Sequence, residues 1–146
     1  MTENNENKKS EDNEWFEELK KRTVVGLTEK IIVKANGNGS EDKEMIARID
    51  SGATKSSIDL TLASQMKLGP VVDSRLVKSA HGTKLRPVVE VEIVLQGRTI
   101  KAKFTMADRA YMKYPILIGQ NILKSGFVID PNRSVKSPVK KSEGHK

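Results

Sequence analysis

The sequence contains no cysteine and few aromatic residues. Among its 146 residues, Phe, Trp and Tyr together account for 4%. The absence of cysteine excludes a disulfide framework and thiolate chemistry, and it agrees with a cytoplasmic location. Because aromatic side chains are scarce, a buried core has to be built from Ile, Val and Leu, and the β-branched residues among these favour strands.

Long apolar segments are absent as well. No segment approaches the roughly 20 apolar residues that a membrane-spanning helix needs. The first residues, MTENNENKKSEDNE, are polar and acidic and do not resemble a secretory signal. We therefore expect no membrane as a partner.

The net charge of +7 indicates an acidic partner, either nucleic acid or an acidic protein segment. The basic residues are scattered, and their short runs are Lys20–Arg22 and Lys140–Lys141. No aromatic-rich strand of the kind that binds nucleic acid accompanies these runs. Nucleic acid is therefore not the expected partner, and an acidic protein or peptide remains.

The length allows one domain. Residues 1–14 lack apolar periodicity and are predicted to be a disordered acidic tail, 15–133 the folded domain, and 134–146 a flexible basic tail. Short segments with alternating apolar residues, such as Pro87–Leu95, predict strands. Helical signals are short, at Leu60–Met66 and Asn121–Lys124. The pattern predicts a mainly β fold, a small barrel or sandwich with one or two short helices.

Several kinds of chemistry can be excluded by elimination. The histidines are His81 and His145, and His145 falls in the predicted tail. The sequence has no nucleophile-elbow motif, no His-Glu-x-x-His segment and no phosphate-binding loop with Lys and Ser/Thr. We therefore predict no metal and no cofactor. His81 next to Gly82 is explained most simply as a polar turn residue.

The carboxylates remain, and Asp50 stands out by its position. It follows the apolar segment Met45–Ile49 and precedes Ser51, Gly52 and Ala53. A strand end brings a carboxylate to a fixed point, and glycine allows another backbone to approach closely. Taken alone, however, this tetrapeptide is explained better as a turn joining two elements.

A second motif changes this interpretation. The segment ILIGQNIL, Ile116–Leu123, follows about 65 residues later. The pair of motifs resembles aspartic proteases of the retroviral type, in which an aliphatic-Gly segment threads beside the catalytic Asp-Thr/Ser-Gly-Ala loop and supports it. The resemblance implies a retropepsin-like β-barrel with Asp50 as the catalytic carboxylate. It also implies loop support by Ser51, Gly52, Ala53, Ile118 and Gly119, and a flap tip at Ala80, His81, Gly82 and Thr83.

The chain is also similar to a microbial branch of that superfamily, labelled ATP-dependent zinc proteases. The similar segments are Arg22–Gly26, Ala47–Ser56, Arg86–Val89 and Tyr114–Ser134. That branch is associated with ATP-grasp ligases that add glutamates to a ribosomal protein. Neither zinc nor ATP has a recognisable ligand set in this sequence, so neither is expected.

One catalytic motif per chain implies a homodimer. Aspartic proteolysis uses two carboxylates that share a proton, and a two-fold axis would let each chain supply one Asp50. We therefore predict an aspartic endopeptidase acting on a protein or peptide, with an acidic segment near the cleaved bond.

The alternative is a non-catalytic retropepsin-fold module that binds a peptide or partner, including a ribosome-associated one. It stays open because retroviral enzymes carry a paired Asp and Arg where this chain has Thr54 and Gln120.

Overall fold

The computed structural model describes residues 13–35, 37, 39–109 and 112–135. Residues 13–20 are helical and are called α1. The remaining elements are β1 (Thr23–Val25), β2 (Thr28–Val33), β3 (Lys43–Ile49), β4 (Ser56–Asp59), α2 (Leu60–Gln65), β5 (Val71–Ser79), β6 (Gly82–Leu95), β7 (Arg98–Ala107), β8 (Ile116–Ile118), α3 (Gln120–Leu123) and β9 (Phe127–Ile129).

Six strands close into a barrel. Their order is β2-β3-β8-β4-β7-β6, and the additional pairing of β2 with β6 closes the sheet. Strand β8 lies between β3 and β4, parallel to β3 and antiparallel to β4. Strand β5 pairs with the first half of β6 and extends from the barrel as a hairpin. The mainly β barrel with short helices predicted from the sequence is confirmed.

The core is aliphatic, as the scarcity of aromatic residues requires. On β6 the side chains of Val89, Val91, Ile93 and Leu95 are buried, while the glutamates between them are exposed. This alternation places one face of the strand inside the barrel. Phe104 on β7 is the largest of the fully buried side chains in the described part of the chain.

Strand β6 is longer than the alternating pattern predicts. The pattern begins at Pro87, but β6 begins at Gly82. The first residues of β6 are exposed on both faces and pair with β5. A segment without a buried face shows no apolar alternation, so its strand conformation rests on backbone hydrogen bonds that the sequence does not reveal.

The two ends of the domain meet. Strands β1 and β9 form a separate parallel pair, and Thr28 Oγ1 is hydrogen-bonded to both the backbone N–H and the carbonyl of Val135. A Cβ at Gly26 would overlap the carbonyl of Arg133, so glycine permits this contact. Residues 13–14 of the predicted acidic tail are helical, and Ser134 and Val135 of the predicted basic tail are also described. The rest of both predicted tails, 1–12 and 136–146, lies outside the described residues.

No helix in the described part of the chain has the length and apolar character needed to cross a membrane.

Candidate active site

Asp50 lies at the end of β3, one residue after Ile49. Its N–H donates to Ile118 O on β8 at 2.9 Å, which extends the strand pairing by one step. Its Oδ1 accepts the N–H of Gly52 at 2.9 Å, and its carbonyl accepts the N–H of Ala53 at 3.3 Å. The Asp50 residue is half-buried. These hydrogen bonds fix its position relative to β3, β8 and its own loop.

The second motif packs directly against this loop. Ile118 is fully buried, and the N–H of Gln120 donates to Ala53 O at 2.8 Å. A Cβ on Gly119 would overlap the carbonyl of Lys55 and lie 2.8 Å from Ala53 O. Real Cβ atoms do not approach a carbonyl so closely, so position 119 requires glycine. The close approach expected at Gly52 occurs at Gly119, because a Cβ at Gly52 would meet only Asp50 Oδ1, at 3.3 Å.

A chain of hydrogen bonds, buried at Ser56 and exposed at Lys103, ties this support to two further strands. The N–H of Gly119 donates to Ser56 Oγ on β4 at 2.9 Å. The Ser56 hydroxyl donates to Asn121 Oδ1 at 2.7 Å, and Asn121 Nδ2 donates to Lys103 O on β7 at 3.0 Å. Ser56 is completely buried. Because water cannot reach its hydroxyl, other groups of the protein have to supply its hydrogen-bond partners.

Gln120 occupies the place where retroviral enzymes commonly carry arginine. Its Nε2 donates to Ser51 O at 2.7 Å. The amide therefore binds the backbone of the Asp50 loop directly and needs no charged partner at Thr54. Ser56 and Asn121 are supporting residues that sequence reasoning did not single out, and Gln120 was noted there only as a departure from the retroviral pattern.

The predicted flap tip lies in a tight turn. Ala80 and His81 connect β5 to β6, and Ser79 pairs with Gly82 across the turn. Gly82 has a φ of 111°, a conformation that side chains other than glycine's rarely adopt. The Ser79 hydroxyl donates to Gly82 O at 3.1 Å. Thr83 is the second residue of the return strand β6, and all four tip residues are exposed. Among the described residues, no hydrogen bond joins this tip to the Asp50 loop.

Two arginines flank Asp50, and neither was among the candidates from the sequence. Arg48 is on β3, two residues before Asp50 and on the same face of the strand. Arg109 follows β7, is half-buried, and its Nη1 donates to Ser57 Oγ on β4 at 3.3 Å. Burial lowers the pKa of Arg109; the charge of Asp59 opposes that shift, Arg48 adds to it and Asp50 opposes it. The charges of Arg48 and Asp50 therefore both act at the Arg109 guanidinium.

A cavity of about 300 Å³ lies beside the loop. It is lined by Lys55, Asp73, Ser74, Arg75, Val88, Lys103 and Thr105. Three of these residues are cationic and one is acidic, so the cavity carries net positive charge. No cluster of three or more His, Asp or Glu side chains able to hold a metal ion occurs within the described residues. With no cysteine and two histidines in the whole sequence, the residues do not fit a zinc ion.

Residues 62–139 match the RimB-like family, described as "Retropepsin-like aspartic endopeptidase RimB". The matched segment spans just over half of the chain. The chain belongs to the RimB-like family. The match includes the β5–β6 hairpin and the β8–α3 support, while Asp50 lies outside it. Assigning a role to Asp50 in this RimB-like protein therefore depends on the geometry described above.

Solved structures show the same fold at low sequence identity. A Legionella pneumophila protein, Lpg0085 of unknown function (DUF785), is 18% identical, with a TM-score of 0.52 over 78% of this chain and 97% of that chain. EIAV protease, solved with the inhibitor HBY-793, is 21% identical, with a TM-score of 0.52 over 73% of this chain and 88% of that chain. No curated protein matches the sequence. The retropepsin-like fold is thereby confirmed.

Proposed function

We propose that this RimB-like protein is an aspartic endopeptidase whose active site forms between two copies of the chain, each supplying Asp50. The observation that carries the proposal is the placement of Asp50 at a strand end, in a loop held by β8, α3 and β4. Such a loop holds a carboxylate at a fixed point, which acid–base chemistry on a peptide bond requires.

The proposed chemistry needs two carboxylates about 3 Å apart that share one proton. One removes a proton from the attacking water, and the other donates its proton to the carbonyl oxygen of the scissile bond. A single chain carries one Asp-Ser-Gly-Ala motif, so the second carboxylate has to come from a second copy. In a two-fold dimer the same surface of each chain meets its counterpart. The β5–β6 hairpin would then close over the peptide and exclude water.

The substrate is proposed to be a protein or peptide with an acidic segment near the cut. Lys55, Arg75 and Lys103 line the cavity next to the loop, and the chain as a whole carries a charge of +7. Complementary charge raises the association rate and is screened by salt. This proposal is consistent with a cytoplasmic protein that uses no metal and no cofactor.

The decisive experiment compares the wild type with Asp50→Asn on a mixture of unfolded proteins, with cleavage products identified by mass. Asn is nearly isosteric with Asp and can still accept the Gly52 N–H, so the variant should fold and melt like the wild type. We expect cleavage by the wild type and none by the variant. Cleavage by pure Asp50→Asn at the wild-type rate would refute the assignment.

A wild type that binds peptides without cutting them would favour the non-catalytic binding module instead. Under that alternative, Asp50→Asn should bind peptides as well as the wild type does. The dyad model predicts a further difference, because a monomer holds only half of the site. Specific activity should therefore fall on dilution through the dimer dissociation constant measured by sedimentation. Constant specific activity from a monomeric species would exclude the shared site.

A further inference from the structure

Arg109 is held in a defined orientation beside the candidate site. Its backbone N–H donates to Asp59 Oδ1 at 2.9 Å. Its Nε donates to Tyr114 O at 3.1 Å, and its Nη1 donates to Ser57 Oγ at 3.3 Å. A guanidinium carries five N–H donors in one plane, so these two side-chain bonds fix the plane and leave it with further donors.

The strand register shows where this guanidinium lies. Across β3, β8 and β4, the residues Arg48, Leu117 and Ser57 are aligned as neighbours. Each of the three is flanked along its own strand by buried residues, so all three side chains point away from the core. Asp50, two residues beyond Arg48, shares this outer face. Arg48 and Ser57, to which Arg109 is bonded, therefore lie on either side of Leu117, and the charges of Arg48 and Asp50 both act on the Arg109 guanidinium.

The charge balance on this face is incomplete. Within the described residues, the ion pairs with an N–O distance of at most 4.0 Å involve neither Arg109 nor Arg48. Burial lowers the pKa of Arg109, yet an arginine stays protonated at physiological pH. The half-buried Arg109 guanidinium therefore has no described carboxylate in direct contact, and the charges of Asp59 and Asp50 act on it from a longer distance. A bound carboxylate in direct contact would offset the cost of its burial.

We propose that Arg109, assisted by Arg48, is the specificity-determining residue of the cleft and binds a carboxylate side chain of the substrate next to the bond that is cut. This inference rests on the proposed endopeptidase function and names the residue that selects among substrates. Arg109 is better suited than Arg48 because its plane is already fixed by Ser57 and Tyr114. A fixed guanidinium loses less conformational entropy when it binds a carboxylate than an exposed side chain does.

The test uses peptides that differ in one residue on either side of the cleaved bond, with Glu replaced by Gln or by Lys. A hydrogen bond to a charged group contributes about 1.5–3 kcal/mol, so kcat/KM of the wild type should be about ten- to a hundredfold higher for Glu than for Gln at one of these positions. In Arg109→Gln this ratio should fall to near one. In Arg109→Glu the preference should shift to Lys.

Lys101→Gln is the matched control, because it removes one positive charge from an exposed position of β7 outside the aligned row. It should keep the wild-type Glu/Gln ratio, whereas a general charge effect would lower the ratio in both variants. If Arg109→Gln melts below the assay temperature, Arg109→Met, which keeps the aliphatic stem, takes its place. An unchanged ratio in the position-109 variant, or a wild type without preference for Glu at either position, overturns the proposal.

Failure of the proposed function can be separated from failure of this inference. Fluorescence anisotropy with Asp50→Asn and labelled Glu and Gln peptides measures selection without cleavage. Tighter binding of the Glu peptide that is lost when Arg109→Gln is added supports the role of Arg109 even if the wild type cuts nothing. Equal binding of both peptides, or binding of neither, refutes it, whatever the outcome with unfolded proteins.

Discussion

The Asp50 loop and the β5–β6 hairpin are built in opposite ways. The loop is joined to β8, α3 and β4 by backbone and side-chain hydrogen bonds, and its neighbours Ser56 and Ile118 are completely buried. Strand β5 pairs only with β6 in the described part of the chain, and most of its side chains are exposed. The group proposed to react thus lies on the rigid part of the molecule, while the exposed hairpin is free to adapt to a ligand.

This contrast predicts different consequences of substitution. Changes around the loop should cost stability and activity together, because the same contacts hold the core and the carboxylate. Changes in the hairpin should affect activity at nearly constant stability.

The largest effect is expected for Gly119→Ala. The added Cβ would overlap the Lys55 carbonyl and crowd Ala53 O, so the loop has to shift. We expect a loss of about 3 kcal/mol in the free energy of unfolding and, because a shift of about 1 Å at a reacting group can cost a hundredfold, a fall of about that size in kcat. Urea unfolding and peptide cleavage measure the two quantities. Gly52→Ala is the control for stability, and an equal loss in both variants would contradict the special role of position 119.

A smaller effect is expected for Ser56→Ala. The change leaves the buried Gly119 N–H and the half-buried Asn121 Oδ1 without their partner, which costs about 1–3 kcal/mol. The matched control is Ser57→Ala on the same strand, whose half-buried hydroxyl accepts one 3.3 Å bond from Arg109. Thermal unfolding should separate the two variants by several degrees, and identical melting temperatures would argue against the hydrogen-bond chain through Ser56.

The smallest effect on stability is expected in the hairpin. Leu76 and Leu85 face each other across β5 and β6, with 68% and 65% of their surfaces exposed. Replacing both with Ser should change the free energy of unfolding by about 0.5 kcal/mol or less. If the hairpin closes over the substrate, KM should rise. Leu60→Ser on α2 serves as the control, and an unchanged KM in the hairpin variant would remove the hairpin from the binding site.

Features of the fold that depend on a few contiguous residues could be predicted from the sequence. The strand before Asp50, the Asp-Ser-Gly-Ala loop and the aliphatic segment ending at Gly119 are each local patterns. The turn at Ala80 and His81 is marked by Gly82, which the positive φ requires. These local signals, joined by the resemblance to a family, were sufficient to predict the barrel and to pair the two motifs.

The polar connections could not be predicted in the same way. Ser56 and Asn121 are 65 positions apart, and Arg109 and Ser57 are 52 apart. Hydroxyl, amide and guanidinium side chains look the same in a sequence whether they face solvent or a buried partner. Only the insertion of β8 between β3 and β4 brings these residues together, and nothing in either segment alone indicates it.

That insertion also determines when the site can exist during protein synthesis. Strands β3 and β4 and the Asp50 loop between them leave the ribosome first, but β8 and α3, which hold the loop, are made only after β5, β6 and β7. Contacts between residues far apart in sequence form late, because a long loop must close first. A nascent chain that ends before β8 therefore carries the Asp50 motif without its support, and the position of β8 delays assembly of the proposed active site until this later segment has been made.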